Sequence, residues 1–197
     1  ETEIALIKKA VRIADDTFFH ILGYIKPGVA EVELAAEMEY YMKKQGAAGS
    51  SFETIVASGI RASMPHGVAS DKKLKSGDVI TFDFGALYNG YCSDMTRTVF
   101  LGKPESELER IYNIVLHAQL KGIEAVKQGS IAKDVDKIAR DHIVNEGFGD
   151  YFGHGLGHGV GLEIHEEPTL STRGSIELLN GMVVTVEPGI YIAGLGG

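Results

Sequence analysis

Cysteine occurs once, at position 92, and tryptophan is missing altogether. A single cysteine excludes an internal disulfide and fits a reducing cytoplasm, which is the compartment expected here. No stretch approaches the roughly 18 apolar residues of a membrane helix, and no secretory signal opens the sequence. Lys and Arg nowhere cluster and are outnumbered by acids, giving a formal charge of −8 and a pI near 5.4. Neither nucleic acid nor a membrane is therefore an expected partner. The first residue is Glu1 and not Met, so the sequence reads as a fragment or a processed chain.

What is present is globular material: 197 residues, 44% hydrophobic and 23% charged, enough for one domain or two tightly fused halves. From Ile4 the apolar residues Ile7, Val11, Ala14, Phe18, Ile21 and Ile25 recur at helical spacing until Pro27-Gly28 breaks the pattern. A second helix is predicted from about Glu31 to Gln45, with Val32, Ala35, Met38 and Met42 inward and Gly46 as its C-terminal cap. Strand-like composition follows to about Leu101. Ser106 and Glu109 then have the spacing of a capping box for a third helix carrying Leu108, Ile111, Val115, Ala118 and Ala125.

The pattern repeats. Ile25-Lys26-Pro27-Gly28 through Gly46 aligns without gaps on Val126-Lys127-Gln128-Gly129 through Gly147, an offset of 101 residues. Gly77 through Gly85 aligns on Gly181 through Gly189 at an offset of 104, and there Asp83 meets Glu187. Two matches at nearly one offset predict a pseudo-symmetric α+β domain, with half-repeats of about 1–103 and 104–197.

Two acids stand out. Asp83 and Asp94 flank Asn89-Gly90, with β-branched and aromatic runs on either side, which is the signature of a hairpin. A Tyr88-Asn89 loop would set the acids directly opposite, whereas an Asn89-Gly90 loop would make them diagonal neighbours on one face. Either register brings like charges together and calls for a cation or for one acid held protonated. The plainer alternative is a pair of solvated surface acids.

Three of the seven histidines fall within twelve residues, as His154, His158 and His165, among closely spaced glycines. Imidazole ligates first-row metals and moves protons near neutral pH, while glycine admits close backbone approach and frees φ. A phosphate-cradling loop is the rival, but Gly-x-Gly-x-x-Gly spacing and a following Lys-Ser/Thr are both missing. His66, in Met64-Pro65-His66-Gly67, is by itself an isolated loop histidine. His20, His117 and His142 fall on predicted helices and read as structural or exposed.

These residues resemble the pita-bread-fold metallopeptidases, a family of methionine aminopeptidases, Xaa-Pro aminopeptidases and Xaa-Pro dipeptidases (prolidases). The resemblance runs over essentially the whole chain. It implies two pseudo-symmetric halves with helices outside a curved antiparallel sheet. Between them an Asp, a second Asp eleven positions later, a His, a Glu and a final Glu hold two divalent metals. Asp83, Asp94, His158 and Glu187 match the first four. Ser51 through Gly59, Met64-Pro65-His66-Gly67 and Val186-Glu187-Pro188-Gly189-Ile190-Tyr191 look like the Xaa-Pro branch, most like the catalytic domain of a bacterial dipeptidase or aminopeptidase.

The resemblance implies hydrolysis of the N-terminal peptide bond before proline, by a water that two metals share and acidify. Mn²⁺ is the first choice and Co²⁺ the second, since an oxygen-rich site with one imidazole suits both. Glu187, a ligand, also takes the water's proton. His165 resembles a residue that hydrogen-bonds the substrate carbonyl, His66 one that contacts the scissile amide or its leaving nitrogen, and His154 one on the substrate side. The implied substrate is a peptide with proline second, and the implied parent is a homodimer. Xaa-Pro enzymes also carry an N-terminal domain and a final Glu on a further strand; by the resemblance, both fall outside residues 1–197. Methionine aminopeptidase is the nearest enzymatic alternative. A pita-bread domain serving only as a binding module is the other, and the retained Asp, His and Glu residues speak against it.

Overall fold

The computed structural model describes residues 1–197. Helix α1 (Thr2–Leu22) buries Ala10, Ile13, Ala14, Thr17 and Ile21, one stripe at intervals of three and four. Thr17 satisfies its buried hydroxyl by donating to the carbonyl of Ile13 at 2.7 Å. The helix stops three residues short of Ile25, at its C-cap residue Gly23, before Pro27 could break it. Ile25 nonetheless packs against the first core. Val11, expected inward, is exposed.

Helix α2 (Glu31–Lys44) buries Leu34, Ala35, Met38 and Met42. Val32 was expected on that face but is 43% exposed; Leu34, two positions on, fills the inward place. The end follows the expectation. Gly46 has φ +100°, its N–H donates to Lys43 O, and Ala47 N–H donates to Met42 O, the two bonds of a Schellman cap.

Short strands follow: β1 (Gly49–Ser50), β2 (Ile55–Ser58), β3 (Val79–Phe84), β4 (Ala86–Tyr88), β5 (Tyr91–Cys92) and β6 (Met95–Phe100). They form antiparallel sheets ordered β2-β3-β6 and β1-β4-β5, with β3 central in the first. Helix α3 (Ser106–Ala125) then packs on α4 (Ala132–Asn145), and β7 (Gly157–Gly159) pairs with β8 (Glu166–Leu170). The capping box at Ser106 does not form. Glu105 is the N-cap residue, so Ser106 already lies inside the helix, past the position from which its hydroxyl could cap.

Two large hydrophobic cores result, and a small third cluster of Ala62, Val79 and Leu108 joins the halves. One large core gathers α1, α2 and the β2-β3-β6 sheet around Phe82 and Phe84; the other gathers α3 and α4 around Phe148, Phe152, Leu156 and Leu170. Equivalent backbone bonds recur in each. Gly28 N–H donates to Leu74 O and Gly129 N–H to Leu178 O; Glu31 N–H donates to Lys72 O and Ala132 N–H to Ile176 O. The glycine pairs 28/129, 46/147 and 77/181 all have φ between +88° and +100°.

Gly46→Ala and Gly147→Ala should each cost about 1 kcal/mol, because a Cβ strains the left-handed backbone although it meets no atom closer than 3.9 Å. Gly23, with φ −71°, should accept Ala without loss. Urea unfolding of the three variants checks the contrast.

Candidate metal centre

Asp83 sits on central strand β3, opposite Thr96 of β6 and Ile55 of β2. Asn89 (φ +48°) and Gly90 (φ +86°) form the tight turn, with Tyr88 opposite Tyr91 and Leu87 opposite Cys92. This is the second of the two registers, so Asp94, two residues before Thr96, is a diagonal neighbour of Asp83. Asp94 is held by its predecessor: Ser93 O accepts from Ser51 Oγ at 2.7 Å, and Ser93 Oγ accepts from Ala86 N–H at 2.9 Å. A Cβ on Gly85 would lie 1.8 Å from Ser93 O, so only glycine lets these strands close there.

The second half brings up His158 and Glu187. Segment 183–187 runs antiparallel to 156–160: Val160 N–H donates to Val183 O, Thr185 N–H to His158 O and Glu187 N–H to Leu156 O. A Cβ at Gly157 would lie 2.1 Å from Thr185 O. The glycines of this stretch therefore serve close approach; none of Gly155, Gly157, Gly159 and Gly161 has positive φ. His158 Nδ1 faces Gly159 O at 3.0 Å, which fixes the ring and turns Nε2 toward the acids. Nε2 lies 3.4 Å from Asp94 Oδ2 and 3.0 Å from Glu187 Oε1, and Thr185 Oγ1 donates to the same Glu187 oxygen at 2.7 Å.

Asp94, His158 and Glu187 thus present three ligand atoms within 4.8 Å of one another. Asp83 stands beside them, accepting from Thr96 Oγ1 at 3.1 Å. Burial, with the charges of Asp94 and Glu187, pushes the Asp83 carboxyl up to about 7. Burial also raises Asp94, against the hydrogen bond from His158. Burial alone would lower His158, but its bonds to Asp94 and Glu187 carry it up to about 10. Glu187 is lowered, its burial outweighed by hydrogen bonds from His158 and Thr185. Without metal, the raised His158 and Asp83 together lessen the negative charge of the cluster. Three carboxylates that repel, with one oriented imidazole, are a donor set that fits a divalent cation.

The remaining expected residues line the same open cleft of about 1680 Å³. His165 is exposed, its ring 4.4 Å from that of His158. His66 is exposed in the loop after β2. His154 is half-buried with both nitrogens engaged, Nδ1 with Gly155 O at 2.8 Å and Nε2 with the Tyr191 hydroxyl at 3.0 Å. Arg97 bonds the carbonyl of Thr96 at the cleft edge and makes no ion pair. Of the helical histidines, His20 bonds Glu37 at 2.7 Å and stacks on Tyr41, while His117 and His142 meet edge to face.

Thr96 and Thr185 carry no motif of their own in the sequence, and Tyr191 stands there only as the end of the Val186–Tyr191 string. Tyr191 is half-buried beside Glu187 and Asp83, and desolvation followed by those two charges raises its hydroxyl above the usual range. The one available signal was position: Thr185 is the repeat counterpart of Thr81.

Residues 5–197 match metallopeptidase family M24, and the chain belongs to that family. It is 56% identical over 195 residues to the uncharacterized peptidase YqhT of Bacillus subtilis, covering 99% of this chain and 55% of that one. It is 52% identical to an Xaa-Pro dipeptidase of Pyrococcus furiosus, covering 99% and 56%. Among solved structures it superposes on an Xaa-Pro dipeptidase from Bacillus anthracis with TM-score 0.99 and 55% identity, over all of this chain and 55% of the other. The prolidase of Pyrococcus furiosus gives 0.98 and 52%, over all of this chain and 58% of the other. The fold is the pita-bread fold, and the chain spans about half the length of the relatives it matches.

The sign of the pH dependence follows. Asp83 (from 3.8 to about 7) and His158 (from 6.5 to about 10) both hold their protons longer folded than unfolded. These two groups should therefore make the metal-free chain less stable as pH rises from about 5 toward about 10, against smaller opposite contributions from the lowered Glu187 and His142. A divalent cation should raise the melting temperature more at high pH than at low, because it needs the ligands deprotonated. Thermal melts with and without a chelator test this; a flat or rising metal-free profile contradicts it.

Proposed function

We propose that this chain is the catalytic part of a longer metal-dependent exopeptidase that hydrolyses the N-terminal peptide bond preceding proline. The observation that carries the reading is the meeting of Asp94, from the first half, with His158 and Glu187, from the second. Asp83 joins them in holding two divalent cations, Mn²⁺ first and Co²⁺ second, since one imidazole among carboxylates suits both. When bound, these ions supply Lewis acidity toward water and the scissile carbonyl. The relatives named Xaa-Pro dipeptidase, at 50–52% identity across the chain, support the choice of substrate.

The chain's own groups divide the remaining work. Glu187 accepts the proton of the attacking water; the bond that Thr185 donates to its Oε1 orients that carboxylate. His165, exposed and packed on His158, donates to the carbonyl oxygen as negative charge develops there. A bond before proline is a tertiary amide without an N–H, and its nitrogen, like that of any amide, must gain a proton to leave as an amine. His66 is the group assigned to that nitrogen. His154, held at both ring nitrogens, shapes the substrate side of the cleft together with Tyr191, and contacts substrate by a ring nitrogen only where one of those bonds gives way.

The same reading places the protein in the reducing cytoplasm, supported by one buried, unpaired Cys92, and in a homodimeric parent, supported by the family resemblance. No helix is long and apolar enough to cross a membrane. A charge of −8 supports a peptide substrate over nucleic acid.

In the protein at its natural full length, Mn²⁺ should activate cleavage of an Xaa-Pro dipeptide. His158→Ala should abolish that activity, and His165→Ala should lower kcat about 10²-fold with a smaller change in KM. Preference for a Met-Ala peptide would favour a methionine aminopeptidase, and tight Mn²⁺ binding without cleavage a binding module.

A further inference from the structure

Glu31, the first residue of α2, is fully buried and lies outside the cluster described above. Its Oε1 accepts from Ser58 N–H at 2.8 Å and Ser58 Oγ at 2.7 Å. Its Oε2 accepts from Arg61 Nε at 3.0 Å, Ser70 N–H at 3.2 Å and Ser70 Oγ at 2.7 Å. Arg61 in turn donates from Nη2 to Val68 O at 2.6 Å. Five donors saturate one carboxylate, and all of them come from the segment Ser58–Ser70.

That segment carries His66. Its two stems, at Ser58–Arg61 and Val68–Ser70, meet through Glu31 and Arg61, through the Val68–Ile55 bridge, and through Lys72, which donates from Nζ to Ser58 Oγ at 2.6 Å and from N–H to Ser70 Oγ at 3.2 Å. Between them the loop is tightened by its own turns: Met64 N–H to Arg61 O, Gly67 N–H to Met64 O and Val68 N–H to His66 O. Gly67 lies so close to β2 that a Cβ would come within 3.0 Å of Ala57 Cβ. With both stems pinned, the His66 side chain has little backbone freedom at the cleft.

The helix does not need this acid. By the 101-residue repeat its counterpart is Ala132, which starts α4 with the matching backbone bond and the matching bridge, Ile131 to Glu177 in place of Ala30 to Lys73. The same helix-start position is thus filled once by a buried carboxylate and once by alanine, while α4 buries its own acid one turn on, Asp136, paired with Arg140 at 2.8 Å. A buried ion pair costs desolvation and commonly adds little net stability, so what it offers is a unique arrangement of the groups it holds.

We propose that Glu31 is a positioning residue for His66, setting that imidazole at the scissile amide by tying both stems of its loop to the start of α2. This rests on the peptidase reading, in which His66 serves the leaving nitrogen. The test is a double-mutant cycle in the full-length Mn²⁺ enzyme on an Xaa-Pro dipeptide. Glu31→Gln should lower kcat about tenfold with KM within about twofold, and should have no further effect in a His66→Ala background. Equal losses in both backgrounds would overturn the proposal. Ser70→Ala removes two bonds, that of Ser70 Oγ to Glu31 and that of Lys72 N–H to Ser70 Oγ, and leaves the Glu31–Arg61 pair, and it should show the same coupling at smaller amplitude should Glu31→Gln fail to fold. Histidine Hε1 signals in metal-free protein give a readout independent of activity. Both substitutions should shift or broaden the His66 signal while leaving those of His20 and His117 in place; an unmoved His66 signal overturns the proposal. If the unaltered enzyme cleaves no Xaa-Pro peptide, the peptidase reading fails separately, and the His66 signal alone decides whether Glu31 positions the loop.

Discussion

Repulsion among Asp83, Asp94 and Glu187 is the constraint around which this molecule is organised. Three carboxylates brought this close in a partly buried site cannot all stay charged unless something positive lies among them. The His158 imidazole is driven toward its charged form by that demand, and Asp83 toward its protonated form. Much of the surrounding detail follows from holding these groups despite their cost: glycines where strands nearly touch, threonines donating to the acids, and a backbone carbonyl fixing the His158 ring.

The two halves meet this constraint from opposite sides. The first contributes two acids from a hairpin whose register is set by one tight turn. The second contributes an imidazole and an acid from two segments joined by three backbone bonds. Each half keeps its own core, so the centre lies where the cores face each other and does not interrupt either.

Much of this arrangement was legible in the sequence. Asp83 and Asp94 were readable as a pair because Asn89-Gly90 couples composition directly to register, and Glu187 because the repeat carries an acid to the position matching Asp83. Local signals failed where their meaning depended on an element boundary one residue away, as at Ser106, or on helix phase, as at Val32. Tyr191 and the Glu31 network were out of reach for a different reason. Their significance lies in contacts between segments far apart in the chain, and neither spacing nor composition encodes which distant donors a buried hydroxyl or carboxylate will meet. The state of His154 belongs with them: its place in the cluster was evident, but that both of its nitrogens are engaged was not.

The separation into two cores has a mechanical consequence. A cation shared by Asp94 and His158 would fasten one half to the other across a long intervening span of chain. A tie of that kind removes conformational freedom from the opened molecule much as a cross-link does, and the gain grows slowly with the length of chain it encloses. In a protein with one cysteine, ion binding would then be the nearest equivalent to a covalent staple. Its loss would loosen the seam between the halves before it disturbed the packing within either.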